Sequence, residues 1–247
     1  MYAYILMEAG TDVNTWMYLS RVCPCPVSRS RSLASPAGAQ ARALRQTQVV
    51  QALQAVLPAH ALLYTSEETV PYECDGLTAY RQRPLCVALP ETEAQVQAVL
   101  KACHRLSVPV VARGAGTGLS GGAMPHGQGV TLSMAKFNRI KSIDPEACTA
   151  VVECGVRNLA ISEAAAPLGL YYAPDPSSQI ACTIGGNVAE NSGGVHCLKY
   201  GLTVHNVVRV RGYTMAGEAV EFGGLAPDAP VVQRSLKDLL RAKSASR

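Results

Sequence analysis

Apolar and polar positions alternate in two rhythms along this chain. In residues 47–57, Val49, Val50, Leu53, Val56 and Leu57 recur three and four apart, the spacing of one helix stripe, and Pro58 stops the pattern. A short apolar run at 86–89 predicts a strand. Thr92 and Gln95 then have the spacing of a capping box, opening a helix that buries Val96, Val99, Leu100 and Cys103. A further apolar run at 108–112 predicts the next strand, so 86–112 is a β-α-β unit. Beyond it, 130–134, 139–143 and 149–153 carry β-branched or alternating patterns. Asn158 is placed to cap a helix carrying Leu159, Ala160, Glu163 and Ala164, with Gly169 closing it. Residues 207–214 and 218–222 predict a hairpin. Strands and helices mix without regular alternation, so the predicted class is α+β.

The β-α-β unit delivers its last strand into Arg113-Gly-Ala-Gly-Thr-Gly-Leu-Ser-Gly-Gly122, with five glycines in the nine residues after the arginine. Glycine reaches positive φ freely and lets another molecule lie against bare backbone. Successive exposed N–H groups in such a turn form an anion-holding concavity. The segment reads as a diphosphate cradle, with Arg113 adding charge at its mouth. Gly116-Thr-Gly-Leu-Ser-Gly121 is a literal G-x-G-x-x-G, but the dinucleotide fingerprint requires a helix after the glycines. Here Pro125, Gly127 and Gly129 follow, which is loop punctuation. The P-loop is excluded because no Gly-Lys-Ser/Thr follows. A plain surface loop accounts for the glycines but not for the arginine and the strand that feeds them. A second segment, 173–194, repeats the idea: Gly185-Gly186 and Gly193-Gly194 flank Asn187, Glu190 and Asn191. Two such loops suit the two walls of one extended dinucleotide site.

The glycine loop, Tyr72-Glu-Cys-Asp-Gly76, Pro174-Asp-Pro-Ser-Ser-Gln179, and Thr183-Ile-Gly-Gly-Asn187 leading to Lys199-Tyr-Gly201 resemble the FAD-linked 2-hydroxyacid oxidoreductases. Within them the likeness is to the bacterial glycolate oxidase type, over about residues 64–230. The resemblance implies the two-subdomain FAD-binding domain shared by p-cresol methylhydroxylase and vanillyl-alcohol oxidase, here cut short before the substrate cap domain. It divides the chain into an atypical, disordered leader at 1–45, subdomain 1 at 46–127, an incomplete subdomain 2 at 128–230 and a basic tail at 231–247 outside the family pattern. It implies FAD diphosphate on the backbone of Gly114, Ala115, Gly116, Thr117 and Gly118, with Ser120, Gly121 and the Arg113 loop base nearby. The flavin ring and ribityl chain would run along Pro174, Asp175, Ser178, Thr183, Ile184, Gly185, Gly186, Asn187, Asn191 and Gly194. Asn187 and Asn191 are equally turn-formers. No histidine lies within 113–122, so FAD is expected to be non-covalent, and of the five histidines only His196 is placed near the flavin. The implied reaction oxidises a 2-hydroxy acid, glycolate or D-lactate, to the 2-oxo acid, with hydride going to flavin N5. The residues that catalyse it are expected in a C-terminal half beyond this chain. A catalytically inactive FAD-binding fragment or scaffold for partner subunits is the alternative. A nucleotide-sugar reductase using NADPH is disfavoured by the 72–76 and 174–178 segments. Iron–sulfur and second flavin-type subunits are the implied partners, and the implied location is cytoplasmic, reaching the inner membrane through them.

Composition narrows the remaining options. The net charge of +4 is mild and the basic residues are scattered with few aromatics, against a nucleic-acid surface. The nine cysteines are odd in number and irregular in spacing, against a disulfide framework; Cys23-Pro-Cys25 matches no trusted metal spacing. No apolar run reaches the ~18 residues of a membrane span. The leader has no acidic residue between Asp12 and Glu67, and arginines recur among its serines. That composition also fits a transit peptide, but Glu8, Asp12 and the Pro-Cys-Pro cluster oppose that reading. At the other end, Arg209-Val-Arg-Gly212 departs from the family's strand pattern. Gly212 weakens a strand, and Arg211 needs an outward face.

Overall fold

A computed structural model describes residues 2–6 and 36–223. The basic tail and residues 7–35 of the expected leader lie outside the described residues. The elements are β1 (Tyr2–Leu6), α1 (Pro36–Gln54), β2 (Leu62–Leu63), α2 (Ser66–Thr69), β3 (Cys86–Ala88), α3 (Glu93–Arg105), β4 (Val110–Arg113) and β5 (Val130–Ser133). They continue with β6 (Ile140–Asp144), β7 (Thr149–Glu153), α4 (Asn158–Ala165), α5 (Ile184–Glu190), α6 (Cys197–Tyr200), β8 (Val207–Tyr213) and β9 (Ala219–Gly223).

They form a four-stranded sheet in the order β2-β3-β5-β4 and a five-stranded sheet in the order β6-β7-β1-β8-β9. In the first, β5 runs parallel to both β3 and β4, pairing Val87 with Thr131 and Val111 with Thr131. All four residues of β5 are buried, as a parallel strand covered on both faces requires. The subdomain boundary expected at 127/128 therefore moves: β5 completes the first sheet, and the chain leaves it only after Ser133. The second sheet is antiparallel throughout. Its β8–β9 hairpin tolerates Gly212, which pairs with Val220, and Arg211 is exposed and reaches Glu221 at 3.4 Å.

One core joins α1 (Val49, Val50, Leu53) to α3 (Val96, Val99, Leu100) over the first, mixed sheet and continues into Met134, Phe137 and Cys154. The second core gathers Val152, Val156, Ile161 and Ile184 around α4 and α5. Thr92 and Gln95 form the capping box expected of them. Within the first core, burial pushes the Cys86 thiol up to about 12 and the Cys103 thiol up to about 11, so both behave as small apolar side chains.

The disordered leader is not what is found where the structure describes it. Tyr2–Leu6 is the central strand of the second sheet, and α1 begins at Pro36 rather than at residue 47. The first half of α1 has no apolar stripe, so periodicity could not find it. Its alanines, arginines, leucine and glutamines are strong helix formers, and its basic residues hold carbonyls. Arg42 donates to the carbonyls of Gly127 (3.3 Å), Arg83 (3.2 Å) and Pro84 (3.0 Å), and Gln46 donates to Leu85 (2.7 Å).

A second correction concerns Asn158. Arg157 is the N-cap of α4, and Asn158 occupies the first helical turn with its side chain buried. Its Nδ2 donates to the Pro174 carbonyl at 2.9 Å, and its Oδ1 accepts from Asn187 Nδ2 at 2.8 Å. Gly169 does close that helical region, at φ 72°.

Candidate cofactor site

The glycine loop leaves β4 at Arg113 and turns through positive φ at Gly116 (72°) and Gly121 (79°). A Cβ at Gly114 would collide with Thr183 Oγ1. Glu190, at the end of α5, lies against Gly118 and Gly122. The two glycine-containing segments read from the sequence as opposite walls are thus directly apposed. The strand-end segment 154–158 fixes the second wall. Ile184 N donates to the Val156 carbonyl at 2.9 Å, Gly185 N to Cys154 at 2.8 Å and Asn158 N to Cys182 at 3.0 Å.

Between them opens a cleft of about 430 Å³ whose lining includes Gly114, Ala115, Gly155, Val156, Arg157 and Thr183. That size falls in the range of small-molecule and cofactor sites, ~300–1,000 Å³. Gly155 is present because a Cβ there would meet the Met134 and Phe137 carbonyls. The sequence reading missed the 155–157 segment. Its one signal was a Gly-Val-Arg directly after a strand, which carries no recognised pattern.

Thr183 decides the character of the cleft. It is the N-cap of α5 but its side chain makes no cap hydrogen bond, and its buried Oγ1 has no partner. Buried hydroxyls are normally satisfied; this one is packed against the bare face of Gly114 at the edge of the cleft. A glycine cradle opening on this cleft suits a dinucleotide's diphosphate.

The other expected cofactor residues divide by what they touch. Thr117 is half-buried and Ser120 exposed on the loop, while Pro174 and Ile184 are buried. The carbonyl of Ser178 accepts from Ala181 N and Cys182 N, both at 2.8 Å. Asn187 is buried and donates to Asn158, and Asn191 sits at φ 51° as the C-cap of α5 with its Oδ1 accepting from Val204 N. Both asparagines serve the protein's own turns. The bare face of Gly185 meets Cys154 at 2.8–2.9 Å, and that of Gly194 meets Asp175. Those two glycines are explained by backbone packing rather than by approach of a ring.

Arg113 turns away from the cleft. It is 9 % exposed, donates from Nη1 to the carbonyls of Cys74 (2.7 Å) and Ala123 (3.4 Å), and stacks 5.6 Å from the Tyr72 ring centroid. The missing side chain of Gly116 is what leaves room for its guanidinium. Asp175 and His196 form a pair on the second wall, Oδ2 to Nδ1 at 2.6 Å, with the His196 backbone N on Oδ1 at 3.3 Å. Burial pushes the Asp175 carboxyl up, and the ring and backbone donors of His196 outweigh it and hold it below the usual carboxylate range.

A sequence profile of the FAD binding domain family matches residues 84–223. The chain belongs to that family. FAD is accordingly its cofactor, and the glycine cradle at the cleft of this FAD-binding domain fits it. The chain is 62% identical over 185 residues to the glycolate oxidase subunit GlcD of Escherichia coli (strain K12), covering 75% of this chain and 37% of that protein. It is 37% identical over 150 residues to a D-lactate dehydrogenase of Anaerostipes hadrus, covering 60% of this chain and 31% of the relative. Among solved structures, p-cresol methylhydroxylase with substrate bound superposes with a TM-score of 0.60 at 24% identity, covering 75% of this chain and 37% of that one. That likeness shows the fold, which is the p-cresol methylhydroxylase type expected from the sequence. This chain spans about a third of the length of the curated relatives it matches. Among the described residues, no helix is long and apolar enough to cross a membrane, and no cluster of three or more His, Cys, Asp or Glu could hold a metal.

Proposed function

We propose that this chain is the FAD-holding part of an oxidoreductase that converts a 2-hydroxy acid, glycolate or D-lactate, to its 2-oxo acid. The observation that carries the reading is the cleft lined by the start of the glycine loop, Gly114 and Ala115, and by the 155–157 segment and Thr183. When bound, FAD supplies the hydride acceptor; the protein supplies binding, orientation and electrostatics. The amides of the 114–118 loop hold the diphosphate, Thr183 fixes the neighbouring part of the cofactor, and the Asn158–Asn187 pair keeps α4 and α5 in register behind it. The family names of the relatives support the substrate class. Attachment is non-covalent, since no histidine lies on the glycine loop. The association with iron–sulfur and second flavin-type subunits, and through them with the cytoplasmic face of the inner membrane, rests on the glycolate oxidase likeness.

A second reading, an inactive FAD-binding portion, draws on the absence of an apposed nucleophile–base constellation among the described residues; Asp175–His196 is a pair on an open wall. A visible absorbance spectrum followed by anaerobic glycolate or D-lactate separates the two. A yellow protein that bleaches carries out the oxidation. A yellow protein that stays yellow with both acids holds the cofactor without turnover, and a chain that takes up no FAD refutes both readings.

A further inference from the structure

Two arginines stand beside the glycine loop, and the fold sends them in opposite directions. Arg113, the one the sequence offers as the cradle's charge, has its guanidinium occupied by the Cys74 and Ala123 carbonyls and by the Tyr72 ring. The same backing segment presses on the loop a second time: a Cβ at Gly76 would lie 2.6 Å from the Thr117 carbonyl oxygen and 2.9 Å from that of Gly118. Arg113 thus ties residues 72–76 and 123 to the loop they flank. Arg157 lies at the end of the second wall. Its backbone bridges to Thr183, its Nη1 donates to the Ile180 carbonyl at 3.2 Å, and the residue is exposed. Of the residues lining the cleft, Arg157 alone carries a charge. It shares that lining with Gly114 and Ala115, where the diphosphate loop begins. A guanidinium has five N–H donors in a rigid fork suited to phosphate oxygens, and among the described residues only one is committed, to Ile180.

We propose that Arg157 is the cation that meets the FAD diphosphate, and that Arg113 is a positioning residue that shapes the loop without touching the cofactor. The inference rests on the FAD reading of the fold and is independent of the 2-hydroxy acid chemistry. Its signature is ionic strength. A charge partly exposed to solvent is screened by salt, whereas a buried scaffold bond is not.

The test is FAD titration of the full chain by flavin fluorescence at low and high salt, for wild type, Arg157→Gln, Arg157→Lys, Arg113→Lys and Arg113→Gln. Loss of one charge-assisted phosphate contact weakens binding by about ten- to a hundredfold. Arg157→Gln is expected to show that loss at low salt and a flattened salt dependence, and Arg157→Lys to keep most of the salt dependence. Both Arg113 variants are expected to weaken binding equally at every salt concentration. Hydrogen exchange in peptides spanning 72–82 and 114–124 should quicken in Arg113→Lys while 149–156 stays unchanged. The proposal is overturned if Arg113→Gln flattens the salt dependence or if Arg157→Gln leaves it intact. Should the Arg113 variants fail to fold, the Arg157 pair decides the charge assignment alone. If wild type takes up no FAD, the FAD reading fails. Inorganic pyrophosphate then serves as the probe: a thermal upshift in wild type that Arg157→Gln lacks supports Arg157 as the anion contact, and an equal upshift in both overturns it.

Discussion

Replacing Thr183 with valine should make the empty protein more stable and the cofactor bind less well. The substitution keeps the β-branched shape and deletes only Oγ1. That atom caps nothing in α5 and has no partner, so its removal costs the helix no hydrogen bond. A buried unsatisfied polar group costs about 1–3 kcal/mol. Because Thr183 sits at the wall of an open cleft, the lower part of that range applies. A gain of about 1 kcal/mol in a chain of this size raises Tm by about 2–4 °C. In the FAD complex the hydroxyl contributes one neutral hydrogen bond, about 0.5–1.5 kcal/mol, so affinity falls about two- to tenfold. Thermal unfolding of flavin-free protein and fluorescence titration with FAD read the two effects separately, and Thr183→Ser, which keeps the hydroxyl, should retain affinity. A lower Tm in the flavin-free valine variant, or unchanged FAD affinity, refutes the reasoning.

Gly76→Ala should push the Thr117–Gly118 backbone, at a cost of about 1–3 kcal/mol; weakened FAD binding at unchanged Tm means the loop yields, and a lowered Tm means the backing segment does. Asn158→Ala leaves the Pro174 carbonyl and the Asn187 amide without their partner, and urea unfolding should show a loss of at least about 2 kcal/mol. Glu190→Gln removes a carboxylate lying against Gly118 and Gly122. FAD should bind tighter by about 0.2–1 kcal/mol at low salt, with the gain vanishing at high salt. Glu153 sets a pH dependence. Burial pushes its carboxyl up, and Arg139 with Lys141 outweighs that and holds it below its ordinary 4.5. A depressed carboxyl stabilises above its unfolded value, and the effect is lost as pH falls through the folded one. The stability difference between wild type and Glu153→Gln should therefore be constant from neutrality to about 4.5 and shrink below it.

Much of the fold was legible because backbone periodicity and turn chemistry act locally. The 149–153 strand, the Thr92 capping box and the 207–223 hairpin follow from short-range pattern alone. The placement of β5 between β3 and β4 is a long-range pairing that no local pattern encodes, which is why the subdomain boundary was misplaced. The first half of α1 was missed because its burial comes from arginine and glutamine side chains reaching carbonyls, not from an apolar stripe. At the site, glycine positions were legible but the reasons for them were not: Gly185 and Gly194 have their bare faces against Cys154 and Asp175, and Gly116 makes room for Arg113. The direction of a long side chain is set by tertiary neighbours. The Arg113 guanidinium is accordingly held by the Cys74 and Ala123 carbonyls, a direction that sequence position does not encode.

The bonds of Arg42 have a consequence for how this polypeptide is processed. Its guanidinium holds the Gly127 carbonyl, which lies at the far end of the same loop that begins at Gly114, and two carbonyls just before β3. A protease nick or an alternative translational start that removed residues before 46 would leave all four strands of the first sheet in place while taking β1 from the second. It would still release the exit of the phosphate-facing loop, so occupancy of FAD becomes a gauge of N-terminal integrity.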